Sequence, residues 1–328
     1  MPTVYFRTDS TAGGDGTEDR TDGATRAYPS MGAALSGEQA DLTGVGPLNI
    51  ICTQPGADTV VATIDGYTTT ATDYINIECQ GSARNNGVSR EKSGTGYQLK
   101  RSTSDTINCA EAYVRMTGVE SVIVSSTSLF PWDTTINGID VRLEDCIFGR
   151  DDQTVGTNTL VNVGGTISFT NCLFFAGGQR NDVRSATVTF DHCGNTTVAV
   201  LGIVADDSAT ITNTWAKGAT SEDFWTGGAA PSGSHNASED ASVSTDYANS
   251  VASFTPASEF TTTSNLLSTA DFTLKDSSLN AVGTGSLATD IADTTRTGTA
   301  DIGVFEFAAA GGTILPQSHH NYYWTNQC

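Results

Sequence analysis

Between Val141 and Trp215 the chain repeats one six-position pattern of apolar and polar residues. The repeats read Val141-Arg-Leu143-Glu-Asp-Cys146, Ile167-Ser-Phe169-Thr-Asn-Cys172, Val188-Thr-Phe190-Asp-His-Cys193 and Ala209-Thr-Ile211-Thr-Asn-Thr214. The second apolar position falls at 143, 169, 190 and 211, in steps of 26, 21 and 21 residues. Apolar–polar–apolar alternation predicts a short strand with Leu143, Phe169, Phe190 and Ile211 on one side. The polar pair that follows predicts a tight corner, where Asn and Asp tolerate left-handed backbone. A fixed step of about twenty residues with a strand in each predicts a solenoid. Successive turns then stack like residues in columns about 4.8 Å apart. Cys146, Cys172 and Cys193 form a small, apolar column of their own, and His192, at the corner before Cys193, is expected to face outward.

Weaker copies of the pattern extend the reading in both directions. Leu48–Cys52 and Tyr74–Cys79 alternate well, Tyr97-Gln-Leu99 sits about one turn later, and Val114/Met116 with Val122/Val124 suggest two faces of one turn. Residues 126–138, with Phe130-Pro-Trp132, read as a loop, and 217–258 as long surface loops on irregular last turns. Near the start, residues 3–7 form a strand and Ser30 can cap a short helix with Met31, Ala34 and Leu35 on one face. Such a helix would lid the exposed end of a stack.

The opening Val4-Tyr-Phe, Gly13-Gly-Asp-Gly and Tyr28-Pro-Ser resemble the N-terminal strand and cap of right-handed parallel β-helix repeat proteins of bacteria and phages, in the pectate-lyase-like superfamily. Asp271-Phe-Thr-Leu-Lys-Asp-Ser-Ser-Leu-Asn-Ala-Val-Gly283, Asp290, Arg296 and Asp301-Ile-Gly-Val-Phe-Glu-Phe307 resemble the closing turn of the same group. Leu279 stands where that group has a proline and Val304 where it has an alanine. The resemblance spans about residues 3–307 and implies an all-β, right-handed parallel β-helix. The expected division is a strand and cap over 1–45, the β-helix over 46–307 and a tail over 308–328. Members of the group include virion proteins, surface adhesins and polysaccharide-cleaving enzymes, so the likeness leaves function open.

Composition narrows the choice. Thirty-seven acids against sixteen Lys and Arg give a net charge of −21, which disfavours nucleic acid and anionic membranes as partners. No apolar run is long enough to span a membrane, and the N-terminus lacks a signal-peptide pattern. Seven cysteines without a secretory signal suggest stacked thiols made in a reducing cytoplasm rather than disulfides. No cofactor is expected.

Three residue groups carry candidate chemistry. Arg150, Asp151 and Asp152 follow one turn's strand, and Arg180, Asp182 and Arg184 the next, so paired carboxylates could supply acid and base for glycoside cleavage. The bland alternative is a salt-bridge ladder on a solvated face. Asp15, Asp19 and Asp22 could offer oxygens to Ca²⁺, although their spacing matches no full calcium loop. Tyr322, Tyr323 and Trp324 in the tail suit either a C-terminal lid or an attachment arm. Ser168, Thr187 and Thr210 are expected on an outward column, interrupted by Arg142, which only faintly suggests ice binding. The expectation is a non-enzymatic structural virion protein of a phage, made in the host cytoplasm and displayed on the particle exterior. Its partners would be other virion proteins, copies of itself (a trimer, by resemblance) and a host-surface glycan. The alternatives are a polysaccharide depolymerase and a glycan-binding adhesin.

Overall fold

A computed structural model describes residues 2–102, 105–124, 132–134, 140–150, 158–162, 165–176, 181–184, 187–197, 201–205, 209–226, 232–244, 247–275, 278–279, 282–285, 287–296 and 301–307. Within the strands over 158–162, 181–184 and 201–205 only the backbone is described. The chain is mostly β and is built on three long, all-parallel sheets.

From Leu48 onward the strands enter the three sheets in strict rotation. The first sheet holds nine strands: Thr3–Phe6, Leu48–Cys52, Ile75–Cys79, Tyr113–Thr117, Asp140–Glu144, Thr166–Thr170, Thr187–Asp191, Ala209–Thr212 and Ser232–Ser234. The second holds eight: Gly56–Asp58, Tyr97–Arg101, Glu120–Ile123, Ile147–Arg150, Leu173–Ala176, Gly194–Thr197, Trp215–Lys217 and Ala237–Ser238. The third holds seven, from Ala62–Ile64 through Ile107–Cys109, Trp132–Thr134, Asn158–Asn162, Asn181–Arg184 and Leu201–Ala205 to Glu222–Thr226. Parallel pairing needs a crossover between partners, and here the two other sheets supply it.

The register puts like on like. Leu143, Phe169, Phe190 and Ile211 are direct neighbours, extended below by Met116, Ile77 and Ile50. Beside them Val141, Ile167, Val188 and Ala209 pair in the same way. All point into one core, where Phe169 stacks on Phe190 at 5.1 Å between ring centres and meets Phe148 and Phe174 edge-on. A one-residue slip would turn every one of these side chains to solvent, so the apolar pair fixes the register.

The corners are left-handed, as the polar pairs predict. Asp145, Asn171, His192 and Asn213 have φ of 52°, 52°, 53° and 52°. The cysteines after them are buried and not joined in disulfides. Cys146 donates to the Glu144 carbonyl at 3.1 Å, Cys172 to Thr170 at 3.3 Å and Cys193 to Asp191 at 3.5 Å. Thr214 repeats the bond with its hydroxyl to Thr212 at 3.0 Å, which explains how threonine replaces cysteine in the fourth repeat.

Ser30 caps the helix Met31–Gly37 by accepting from the Ala33 N–H, and Met31, Ala34 and Leu35 are buried. Four expectations need correction. His192 is fully buried, not outward, because the chain at Gly285 comes up against its ring. Trp132 lies in a third-sheet strand with its side chain fully buried, rather than in a loop. Within 217–258, three more strands, Glu222–Thr226, Ser232–Ser234 and Ala237–Ser238, join the three sheets where surface loops were expected. The outward partner of Ser168 is Thr189, whereas Thr187 pairs with Thr166.

Candidate functional site

The largest departure from a simple stack is residues 254–307. Rather than closing the stack as a further turn, this segment runs along the outer face of the second sheet. There Val122, Ile147, Leu173, Phe175, Trp215 and Ala237 point away from the main core. Phe260, Leu267, Phe272, Leu279, Ile291, Ile302 and Val304 bury them as a second core. The sequence signal for it was the run of consecutive apolar residues at Ile147-Phe148 and Leu173-Phe174-Phe175. A strand covered on both faces loses its alternation.

The segment is latched to the left-handed corners. Asn171 donates to the Thr289 carbonyl at 3.1 Å and accepts from Arg296 at 3.1 Å. Asn213 donates to the Thr284 carbonyl at 2.6 Å and accepts from its N–H at 2.7 Å. Arg84 bridges Asp145 of the first corner, at 2.5 Å, to Asp293 of the segment, at 2.9 Å. Burial pushes the Asp145 carboxyl up to about 7 and outweighs the nearby Arg84 guanidinium. The closing motif serves the same latch. Asp290 accepts from the N–H groups of Ala292, Thr294 and Glu306, while Arg296 reaches Glu306 and the Gly303 carbonyl. At Gly303, φ is +103° and a Cβ would fall 2.2 Å from the Trp215 ring, so both backbone and space require glycine.

Where this segment meets the end of the second sheet lies a pocket of about 240 Å³ whose lining includes Lys217, Glu239, Thr255, Ala257, Thr263 and Asn265. Lys217 is 1% exposed and ends the strand Trp215–Lys217. Its ammonium group donates to the Thr263 carbonyl at 3.1 Å and to Asn265 Oδ1, and lies 5.1 Å from the Phe272 ring centre. Burial pulls its pKa down to about 8, against the pull of Glu239 and Asp223. Nearby, Asp223 and Asp240 each accept the other's backbone N–H, and burial with the Asp240 charge pushes Asp223 up to about 7.

The residues picked from sequence fall elsewhere. Asp151, Asp152, Arg180, Tyr322, Tyr323 and Trp324 lie outside the described residues. Arg150 ends a second-sheet strand, whereas Asp182 and Arg184 belong to a third-sheet strand and pair with Thr159 and Val161. The two clusters therefore do not share a strand ladder. Asp15 accepts from Thr17, Asp19 from Arg7 and Thr53, and Asp22 from Arg20, so each carboxylate serves its own local contact. Among the described residues no group of three or more His, Cys, Asp or Glu side chains could hold a metal ion. The Lys217 pocket was missed because most of its walls come from residues 217–258, which sequence reading assigned to surface loops, and the rest from Thr263 and Asn265, to which it gave no role.

Compared with known proteins, the chain matches no family model, no curated protein and no solved structure.

Proposed function

We propose that the three sheets form a right-handed parallel β-helix with an N-terminal helical cap, and that the protein is a non-enzymatic structural component of a phage particle. It would be displayed on the exterior as a capsid decoration, a fibre or a tail-associated protein. What carries this reading is the nine-strand ladder of the first sheet in unbroken parallel pairing, with one flank closed by the chain's own C-terminal segment. Such a body is a stiff rod whose apolar surface is spent on itself, which suits a spacer or display element more than a mobile catalyst. The net charge of −21 keeps a crowded array of copies soluble.

The test is quantitative mass spectrometry of density-purified phage particles from the source culture. A fixed ratio to the major capsid protein is expected, with hundreds of copies for a decoration protein and a handful for a tail spike. Absence from particles would remove the structural role and move attention to cleavage of host polysaccharides. Deleting 313–328 is expected to leave a folded, monodisperse protein that no longer joins its particle. Aggregation of that truncation would make the tail a lid instead.

A further inference from the structure

The last four rungs of the first sheet, Thr166–Thr170, Thr187–Asp191, Ala209–Thr212 and Ser232–Ser234, pair residue to residue in an unbroken register. Their outward positions carry almost nothing but hydroxyls. One file runs through Ser168, Thr189, Thr210 and Ser232. A second, two residues further along each strand, runs through Thr170, Asp191, Thr212 and Ser234. Thr166 and Thr187 begin a third on the other side. The sequence pattern shows one interrupted column, whereas the register makes a grid with three files of hydroxyl side chains. Thr187 and Ser232 are exposed and the others half-buried, since neighbours in a file shield one another. Asp191 is the one charge in the grid, and its carboxylate is engaged by His192 at 2.8 Å and Asn213 at 3.0 Å. The chain carries 37 acids, yet Asp140 and Glu144, with Arg142, stop at the rung before the grid begins.

We propose that this grid is an ice-binding face, whose occupant is crystalline water. The argument rests on two spacings. Rungs repeat at about 4.8 Å, and alternate residues along a strand at about 6.6 Å. In a tetrahedral lattice of O–H···O bonds of about 2.75 Å, second-neighbour oxygens lie about 4.5 Å apart and the perpendicular repeat is about 7.3 Å. Both spacings agree to within about a tenth, and across four rungs the drift is about 0.9 Å, a third of one hydrogen bond. The Thr210 and Ser232 hydroxyls already sit 2.8 Å apart, the distance between bonded waters. A hydroxyl both donates and accepts, so it can take the place of a lattice water. Among the described residues the hydroxyls of Ser168 and Thr189 have no protein partner, which leaves them open to water. Each contact is weak, but contacts held on one rigid body act together. The grid offers no aromatic ring on which a sugar could stack, and no free charge to attract an ionic partner.

The experiment holds a single ice crystal in a solution of the intact protein in a nanolitre osmometer. It reads the crystal's shape and the gap between melting and freezing temperatures, with serum albumin at equal concentration as the reference. Faceted crystals and a gap wider than that of albumin are expected. Round crystals with no wider gap would overturn the proposal. Thr189→Arg, at the centre of the grid, is expected to lose both effects while keeping its circular dichroism spectrum, because the same file already carries Arg115 and Arg142. Full activity in the folded variant would overturn the grid as the site. Thr187→Lys, at an exposed position, gives the same reading should Thr189→Arg fail to fold. None of these outcomes depends on whether the protein is found on phage particles.

Discussion

Single side chains in this protein are held by what lies directly above and below them. Phe169 touches Phe148, Phe174 and Phe190, so replacing it with aspartate puts a charge where no partner exists. Phe169→Asp is expected to abolish the cooperative thermal transition, read by circular dichroism; a soluble, fully folded variant would overturn the inward register. The cysteine column behaves differently. Each thiol makes a short-range bond to the carbonyl two residues back, and Thr214 makes the same bond with oxygen. Cys193→Thr is therefore expected to fold, with a cost of about 1–3 kcal/mol for the added methyl group in a packed site, measured by denaturant titration.

Among the elements, the segment over 254–307 gains most from the second sheet and contributes most to it. Trp215 contacts Phe260 and Phe272, both at 4.8 Å between ring centres. Trp215→Ala is expected to cost about 3–5 kcal/mol. It should also raise hydrogen exchange and proteolysis within 254–307 before the first sheet responds. If exchange rises equally in both, the segment is not a separate layer. The second sheet was half legible in the sequence: its apolar runs were visible, but the residues that cover them, such as Phe272 over Phe175, lie several turns further along the chain. The first sheet was legible across its four clear repeats, because their pattern needs only neighbours about twenty residues apart, and the structure pairs those neighbours as read, whereas its last strand Ser232–Ser234 fell in a stretch read as surface loops.

The whole molecule carries its ionisable groups in two opposed sets. Asp145 and Asp223, ordinarily near 3.8, are pushed up to about 7 by burial. Each binds its proton more tightly when folded, so its contribution to stability is greatest below pH 4 and is lost as pH rises towards 7. Asp140, Asp191 and Asp271 are lowered by partners such as Arg142, His192 and Thr273, and contribute in the opposite sense, losing stability as pH falls. Asp145→Asn removes one member of the first set. The variant's unfolding free energy, measured by urea titration, is expected to fall less steeply, or rise more steeply, between pH 4 and 7 than that of the parent. An unchanged slope would show that Asp145 titrates normally in the folded state. The candidate site was not legible at this scale, since a pocket walled by Lys217, Glu239 and Asn265 exists only once three separate stretches are brought together.

The sequence by itself determined the strand repeat, the inward columns, the left-handed corners and the capped helix, because each depends on residues close in the chain or one turn apart. Only the tertiary structure decided that the closing motif is a latch rather than another turn, and that His192 and Trp132 are buried. It likewise set a buried lysine beside a cavity. The physical reason is common to these. Burial and pKa are set by whatever chain arrives from far away, and local alternation carries no record of where that chain will dock.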